Sequence, residues 1–457
     1  MEQTAARPER LDAPPRGMRE RVRELVRLAL PQIASRSGML VMAVVDTAMV
    51  GRFAAHELAY QSLGIAVTIP LFVTAIGLLL GTLVMTARTL GSGRIDRLGA
   101  VWRRATVYAV ALGAVCMAIA FAGEWVLVLT GQSEDLVRGG GEVVRVLALG
   151  LPFMMIYLAS AFFLEGMKRP VAPMVFMIVA NLFNVLFNWM WVYGNLGFDP
   201  MGAVGSAWAT TGVRILLAAV TIAYVWNLHD RKALGIRRKA GGGWRDWAVQ
   251  RRIGYSAGAS QLIESTAFAA QSFIAGLLGA MALAAYSIAF QVLALIFMTA
   301  IGIGSASSVM VGHAWGRGDT AEMSRAGWTG LGLNTIAMGF FGVLVVAFSP
   351  YLAQGFAKDP ALIELATPLI AFIPLLLIFD GGQAVLSHVL RGRGETWFPV
   401  AAHTVSYGVI LLPLAIVMAL PMGRGVMGIL EALLIASVVS LCVLAWRFHR
   451  LARRDQR

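Results

Sequence analysis

Charge is what this chain has least of. Asp, Glu, Lys and Arg make up 14% of its 457 residues, against 58% hydrophobic, whereas soluble domains carry roughly 25% charged residues. That shortage excludes an ordinary soluble domain and leaves the polytopic membrane class. Cysteine is nearly missing. Cys116 and Cys442 both fall inside apolar segments, so neither a disulfide framework nor a cysteine metal site is implied. The sequence also lacks HExxH, a Gly-x-Ser-x-Gly elbow and a Walker sequence. The chain is therefore expected not to be an enzyme, and to need no cofactor or ATP site of its own. At the N-terminus there is no short apolar region with a small-residue cleavage site. The first apolar stretch, from about Leu25 to Val50, is long enough to span a bilayer rather than be cleaved.

What is present is a series of long apolar runs. A span needs about 20 predominantly apolar residues. Twelve segments qualify, at approximately 25–50, 60–87, 104–129, 143–165, 172–194, 203–227, 253–278, 283–311, 325–348, 362–389, 397–420 and 426–447. The net charge of +13 resides largely in the short loops between them, so a nucleic-acid partner is not expected and the bilayer is. Loops after even-numbered spans hold Arg88, Arg94, Arg97, Arg103 and Arg104, then Lys168 and Arg169, then Arg317 and Arg325, then Arg391 and Arg393. Loops after odd-numbered spans hold mostly Glu134, Asp135, Asp199 and Asp359. The positive-inside rule then puts both termini and the even loops in the cytoplasm.

A basic linker divides the spans six and six. It carries Arg231, Lys232, Arg237, Arg238 and Lys239, then the run Gly241-Gly242-Gly243. The halves repeat. Leu58-Ala59 and Thr74-Ala75-Ile76-Gly77 recur as Leu283-Ala284 and Thr299-Ala300-Ile301-Gly302, an offset of 225 residues. Gly166 and Pro173 match Gly392 and Pro399 at an offset of 226. An even number of spans per half makes the repeats parallel, with a pseudo-two-fold axis along the membrane normal and a substrate path between the halves. The expected organisation is an N-terminal tail (1–24), an N-lobe (25–228), a cytoplasmic linker (229–252), a C-lobe (253–447) and a C-terminal tail (448–457). The fold class is all-α and polytopic, with twelve transmembrane helices in two pseudo-symmetric six-helix bundles.

Against this apolar background the few buried ionisable residues are informative. Glu264 lies about 17 Å into span seven, and Asp380 about ten residues before the end of span ten, so both sit near mid-depth. Carboxylates there face a bundle interior and commonly serve ions or substrates. Either acid can trade a proton from an apolar cavity, or the two together can hold a small hard cation such as Na⁺. In both cases an ion and a cationic ligand compete for one site, which is the logic of an antiporter. Asp46 lies in span one. Arg36 is about 15 Å deeper by helical rise, and Arg214 lies in span six. The three are candidates for one polar network. Asn181, Asn184 and Asn188, at i, i+3 and i+7 of span five, share one helix face and suit ion or substrate contacts, or bonds to neighbouring helices. His388, two turns beyond Asp380, is a candidate proton relay. Glu431, near the end of span twelve, is expected to face water.

Several of these segments have a familiar pattern. Asp46-Thr47 followed by Gly51, the stretch Asn184-Val185-Leu186-Phe187-Asn188, the run Gly202 to Thr210, Glu264, Val311 to Gly316, and Asp380 followed by Leu390-Arg391-Gly392 resemble the multidrug and toxic compound extrusion (MATE) transporters, in their bacterial NorM-type branch. The resemblance covers about residues 25–447 in order. It implies two six-helix bundles forming a V-shaped cleft, in a monomer of the inner membrane. It also implies efflux of cationic amphiphiles driven by inward H⁺ or Na⁺, with Glu264 and Asp380 as the C-lobe cation site and Asp46 as an N-lobe acid. Members with a proposed Na⁺ site carry a Tyr one turn before the Asp380 position. This chain has Leu376 there, which tilts the expectation towards H⁺. A rival reading is a lipid-linked precursor flippase of the same superfamily, which would line its cavity with arginines such as Arg36 and Arg214. An intramembrane enzyme is a second rival, disfavoured by the missing catalytic constellation.

Overall fold

A computed structural model describes residues 17–129, 133–238 and 243–456. Most of the expected N-terminal tail, together with Lys239, Gly241 and Gly242 of the linker, lies outside the described residues. The described residues form helices joined by short turns, with no strand among them. In chain order they are α1 (Met18–Phe53), α2 (Ala55–Gly91), α3 (Leu98–Phe121), α4 (Gly123–Leu129), α5 (Glu134–Gly166), α6 (Val171–Trp191) and α7 (Gly202–Trp226). Then follow α8 (Ala248–Leu277), α9 (Ala280–Gly316), α10 (Thr320–Phe356), α11 (Pro360–Arg393), α12 (Trp397–His403), α13 (Leu412–Ala419) and α14 (Gly425–Gln456).

Among the described residues eleven helices are long and apolar enough to cross a membrane. The seventh expected span is the difference. It is present as α8, 30 residues long, but Arg251, Arg252, Gln261, Glu264 and Gln271 dilute its hydropathy. A helix that carries a polar site inside a bundle need not be apolar all round. Span eleven is also irregular. A π-helical turn over Thr404–Leu411 separates α12 from α13, and such turns recur at functional sites. Helix ends follow local chemistry. Asp319 accepts the Glu322 backbone N–H at 2.8 Å to start α10, and Asp359 accepts that of Ala361 at 3.0 Å, with Pro360 opening α11. Gly394, at φ 115°, ends α11 in the left-handed conformation that suits glycine.

The chain divides into two compact units. One comprises Ala34–Leu90 and Arg94–Gly258. Its centre is α5, packed against α3 and α7 and buried from Met154 through Gly166 save the partly exposed Ile156. Here α2 meets the start of α8 through glycine: a Cβ on Gly81 would strike the Gln250 carbonyl, and one on Gly254 the Leu78 carbonyl. The other unit holds Ala259–Arg457, Gly91–Gly93 and the start of the chain through Ile33. Its centre is α11, packed on α9, α10 and α14, with Ile370, Ile373, Leu376 and Leu377 fully enclosed.

The described part of the linker is built onto the first unit. Leu228, Leu234 and Ile236 are buried against Leu98, Trp102 and Phe163. Arg103 donates to the Gly235 and Ile236 carbonyls, both at 2.6 Å. Arg169 donates to both carboxylate oxygens of Asp230, at 3.1 and 2.6 Å. That fork holds the Asp230 carboxyl below its ordinary value of 3.8.

Candidate functional site

Asp380, on α11, is wholly buried. Its Oδ1 accepts three hydrogen bonds: from the Tyr407 hydroxyl at 2.7 Å, the Ser437 hydroxyl at 2.9 Å and the Gln383 amide at 3.4 Å. Each donor arrives for a local reason. Gln383 is one turn along the same helix, Tyr407 comes from the π-helical turn, and Ser437 from α14. The Gln383 amide also donates to the Tyr407 hydroxyl at 3.0 Å, orienting it towards the acid. Asp380 Oδ2 is buried without a partner. Glu264, on α8, is built alike: Oε2 accepts from Gln261 at 3.4 Å, while Oε1 is buried without a partner. The charges of Asp380 and Arg391 both act on Glu264. Two enclosed acids with one bare oxygen apiece each leave a buried acceptor open to a proton or a cation.

Three features here went beyond the sequence reading. Arg391 was expected in a polar loop, but α11 continues to Arg393 and leaves Arg391 only 2% exposed, donating to Ser260 at 2.8 Å. Tyr407 and Ser437 were not singled out at all. A membrane helix holds many hydroxyls, and only packing shows which of them meets an acid. Leu376 is in the apolar core, so the hydroxyl beside Asp380 comes from Tyr407 instead. His388 contacts the Ala384 carbonyl at 2.9 Å on its own helix, and His403 meets the Ser387 hydroxyl at 3.1 Å.

In the first unit Asp46 collects three donors. Asn184 and Asn188 donate to Oδ1 at 2.9 and 2.8 Å, and Thr210 to Oδ2 at 2.6 Å. The i, i+4 pair on α6 thus reaches the acid. Asn181 does not, and bonds the Gly38 and Met177 carbonyls instead. Asp46 and Arg214 act on each other electrostatically, and both line a cavity of about 280 Å³ together with Met39, Met42, Phe72 and Met177. Arg36 is a correction. It does not join Asp46 but pairs with Glu165 at 3.2 Å, its guanidinium 5.0 Å above the Phe162 ring. A buried arginine takes the nearest carboxylate that packing offers, and Glu165 is 129 residues away in sequence. Glu431, expected in water, is partly enclosed and paired with Arg424.

A family model, MatE, matches residues 31–190 and 257–417. The chain belongs to the MatE family. It is 38% identical to "Probable multidrug resistance protein NorM" of Caulobacter vibrioides over 95% of this chain and 92% of that one. It is 32% identical to the protein of that name from Mesorhizobium japonicum, over 97% and 96%. These relatives put this MatE protein in the bacterial NorM branch. Its fold matches the crystal structure of the eukaryotic MATE transporter AtDTX14 with a TM-score of 0.88 at 17% identity, covering 96% of this chain and 99% of that one. It also matches an outward-facing multidrug resistance MATE transporter of the MOP superfamily with a TM-score of 0.87 at 20% identity, over 96% and 99%. The protein is a multi-pass membrane protein of a transporter family, as the residues around Asp46, Glu264 and Asp380 suggested.

Proposed function

We propose that this protein is a monomeric efflux antiporter of the inner membrane, with both termini and the linker in the cytoplasm. It exports cationic amphiphilic compounds in exchange for H⁺ and uses no cofactor beyond the coupling ion. The observation that carries this reading is the pair Glu264 and Asp380, each buried with one unpartnered oxygen. Proton and cationic substrate compete for such a pair, so each displaces the other. Loading from one side and release to the other then couple the two fluxes without ATP. The NorM relatives support drug-like substrates, and the methionine-rich cavity beside Asp46 suits varied apolar ligands. Buried acids speak against an anionic flippase substrate, and Arg36, already paired with Glu165, is not available to bind one.

The test is efflux of a cationic dye from everted vesicles, with pH and Na⁺ gradients imposed separately. Proton exchange predicts activity in Na⁺-free buffer under a pH gradient alone. It also predicts loss of gradient-driven efflux in Glu264→Gln and Asp380→Asn, with insertion nearly normal, since neutralising a buried charge relieves its desolvation. Wild-type rates in either variant would remove that residue from the coupling site. One observation favours Na⁺ as a second reading: the Tyr407 and Ser437 hydroxyls put two further oxygens within 2.9 Å of Asp380 Oδ1. Efflux that vanishes without Na⁺ and returns in proportion to it would decide for that reading.

A further inference from the structure

The second unit buries a positive charge beside Glu264. Arg391 Nη2 donates to Ser260 Oγ at 2.8 Å, and Ser260 lies one helical turn before Glu264 on α8, on the same face. The Arg391 and Glu264 charges act on each other, as do those of Glu264 and Asp380. All four residues are buried. His403 also lies within reach of the Arg391 charge, and an imidazole is mostly neutral above its ordinary pKa of about 6.5. With both carboxyls deprotonated, the two acids and one guanidinium leave one net negative charge in a place where uncompensated charge is strongly disfavoured. The bare oxygens of Glu264 and Asp380 are where compensation must arrive.

We infer that Arg391 is a built-in counter-charge that sets the capacity of this lobe at one monovalent cation, so that the lobe selects monocations over dications. This rests on the reading of Glu264 and Asp380 as the cation site. A proton or one monovalent organic cation neutralises the lobe, whereas a dication leaves it one positive charge in excess. Without the guanidinium the same two acids would be balanced by a dication. Arg391 thus acts through the acids as a positioning residue and need not touch the transported ion.

The experiment compares two flat probes of nearly equal size, 1-methyl-4-phenylpyridinium with one charge and 1,1′-dimethyl-4,4′-bipyridinium with two. Binding is measured to the purified full chain in an Asp46→Asn background, which silences the other unit. The parent should prefer the monocation. Arg391→Gln should move the ratio of affinities towards the dication on the order of tenfold, the scale of one unit charge at about 10 Å and an effective dielectric near 20. Arg391→Lys keeps the charge and should keep the parent's ratio, which a merely structural loss of packing would not do. Asp380→Asn should weaken the monocation, and Asp380→Asn with Arg391→Gln should restore it, because that pair returns the count to one net negative charge. The double variant also covers the case in which Arg391→Gln alone fails to fold. Parallel changes for both probes in Arg391→Gln, or a double variant no better than Asp380→Asn, would overturn the inference. If instead Glu264→Gln and Asp380→Asn both bound the monocation as tightly as the parent, the cation-site reading itself would fall, and the inference with it.

Discussion

Arg36 and Glu165 are the buried ion pair whose removal should be felt most in the first unit. Their nitrogen and oxygen are 3.2 Å apart, with side chains only 6% and 3% exposed. At an effective dielectric near 20, that separation corresponds to about 5 kcal/mol of attraction, set against the desolvation of both ions. The net worth of such a pair is small, but stranding one member is costly, at about 3–5 kcal/mol. Arg36→Met leaves Glu165 alone among apolar neighbours and also removes the cation from the Phe162 ring. At about 2–4 °C per kcal/mol for a unit of this size, its apparent melting temperature should fall by roughly 6–20 °C. Arg36→Met with Glu165→Leu replaces both charges by volume and should recover most of the loss. The assay is thermal unfolding in detergent at a fixed scan rate, since membrane proteins commonly unfold irreversibly, read as a double-mutant cycle. Single variants as stable as wild type would refute the buried pair. Efflux per folded molecule should survive in the double variant. A stable but inactive double variant would return Arg36 to the transport site.

Tyr407→Phe removes the closest donor to Asp380 and should weaken binding of a cationic dye by about tenfold, the worth of a hydrogen bond to a charged group, with thermal stability changing much less than affinity. Gly81→Val should prevent the close crossing of α2 and α8 at the Gln250 carbonyl, lowering folded yield, with Gly81→Ala the milder of the two. In the linker, Asp230→Asn should release the segment from Arg169 at a cost of no more than about 1 kcal/mol, because the pair is largely exposed. The sign follows from a folded-state value held below 3.8. The anchoring is present at neutral pH and is lost as pH falls below the ordinary carboxylate value and through the folded one. Protease sensitivity of the linker should rise over that acid range in wild type and be constant in the variant.

Hydropathy and charge alone determined a good deal about this protein. Hydrocarbon accepts only long apolar helices, so the spans, the six-and-six division and the improbable acids at 264 and 380 are written in local composition. The fold class and family followed from the same residues, including the Asp46 and Asn184–Asn188 segments. The seventh span, counted among the apolar segments, is present as α8 but is more polar than the other eleven. Tertiary structure alone decided which side chains meet. It separated Arg36 from Asp46 and gave it Glu165, split Asn181 from Asn184 and Asn188, drew Arg391 out of an expected loop, and brought Tyr407 and Ser437 to Asp380. The physical reason is that depth in a membrane depends on position along one helix, which sequence spacing measures. Contact depends instead on the rotation and tilt of each helix against its neighbours, set by packing among residues as far apart as Arg36 and Glu165.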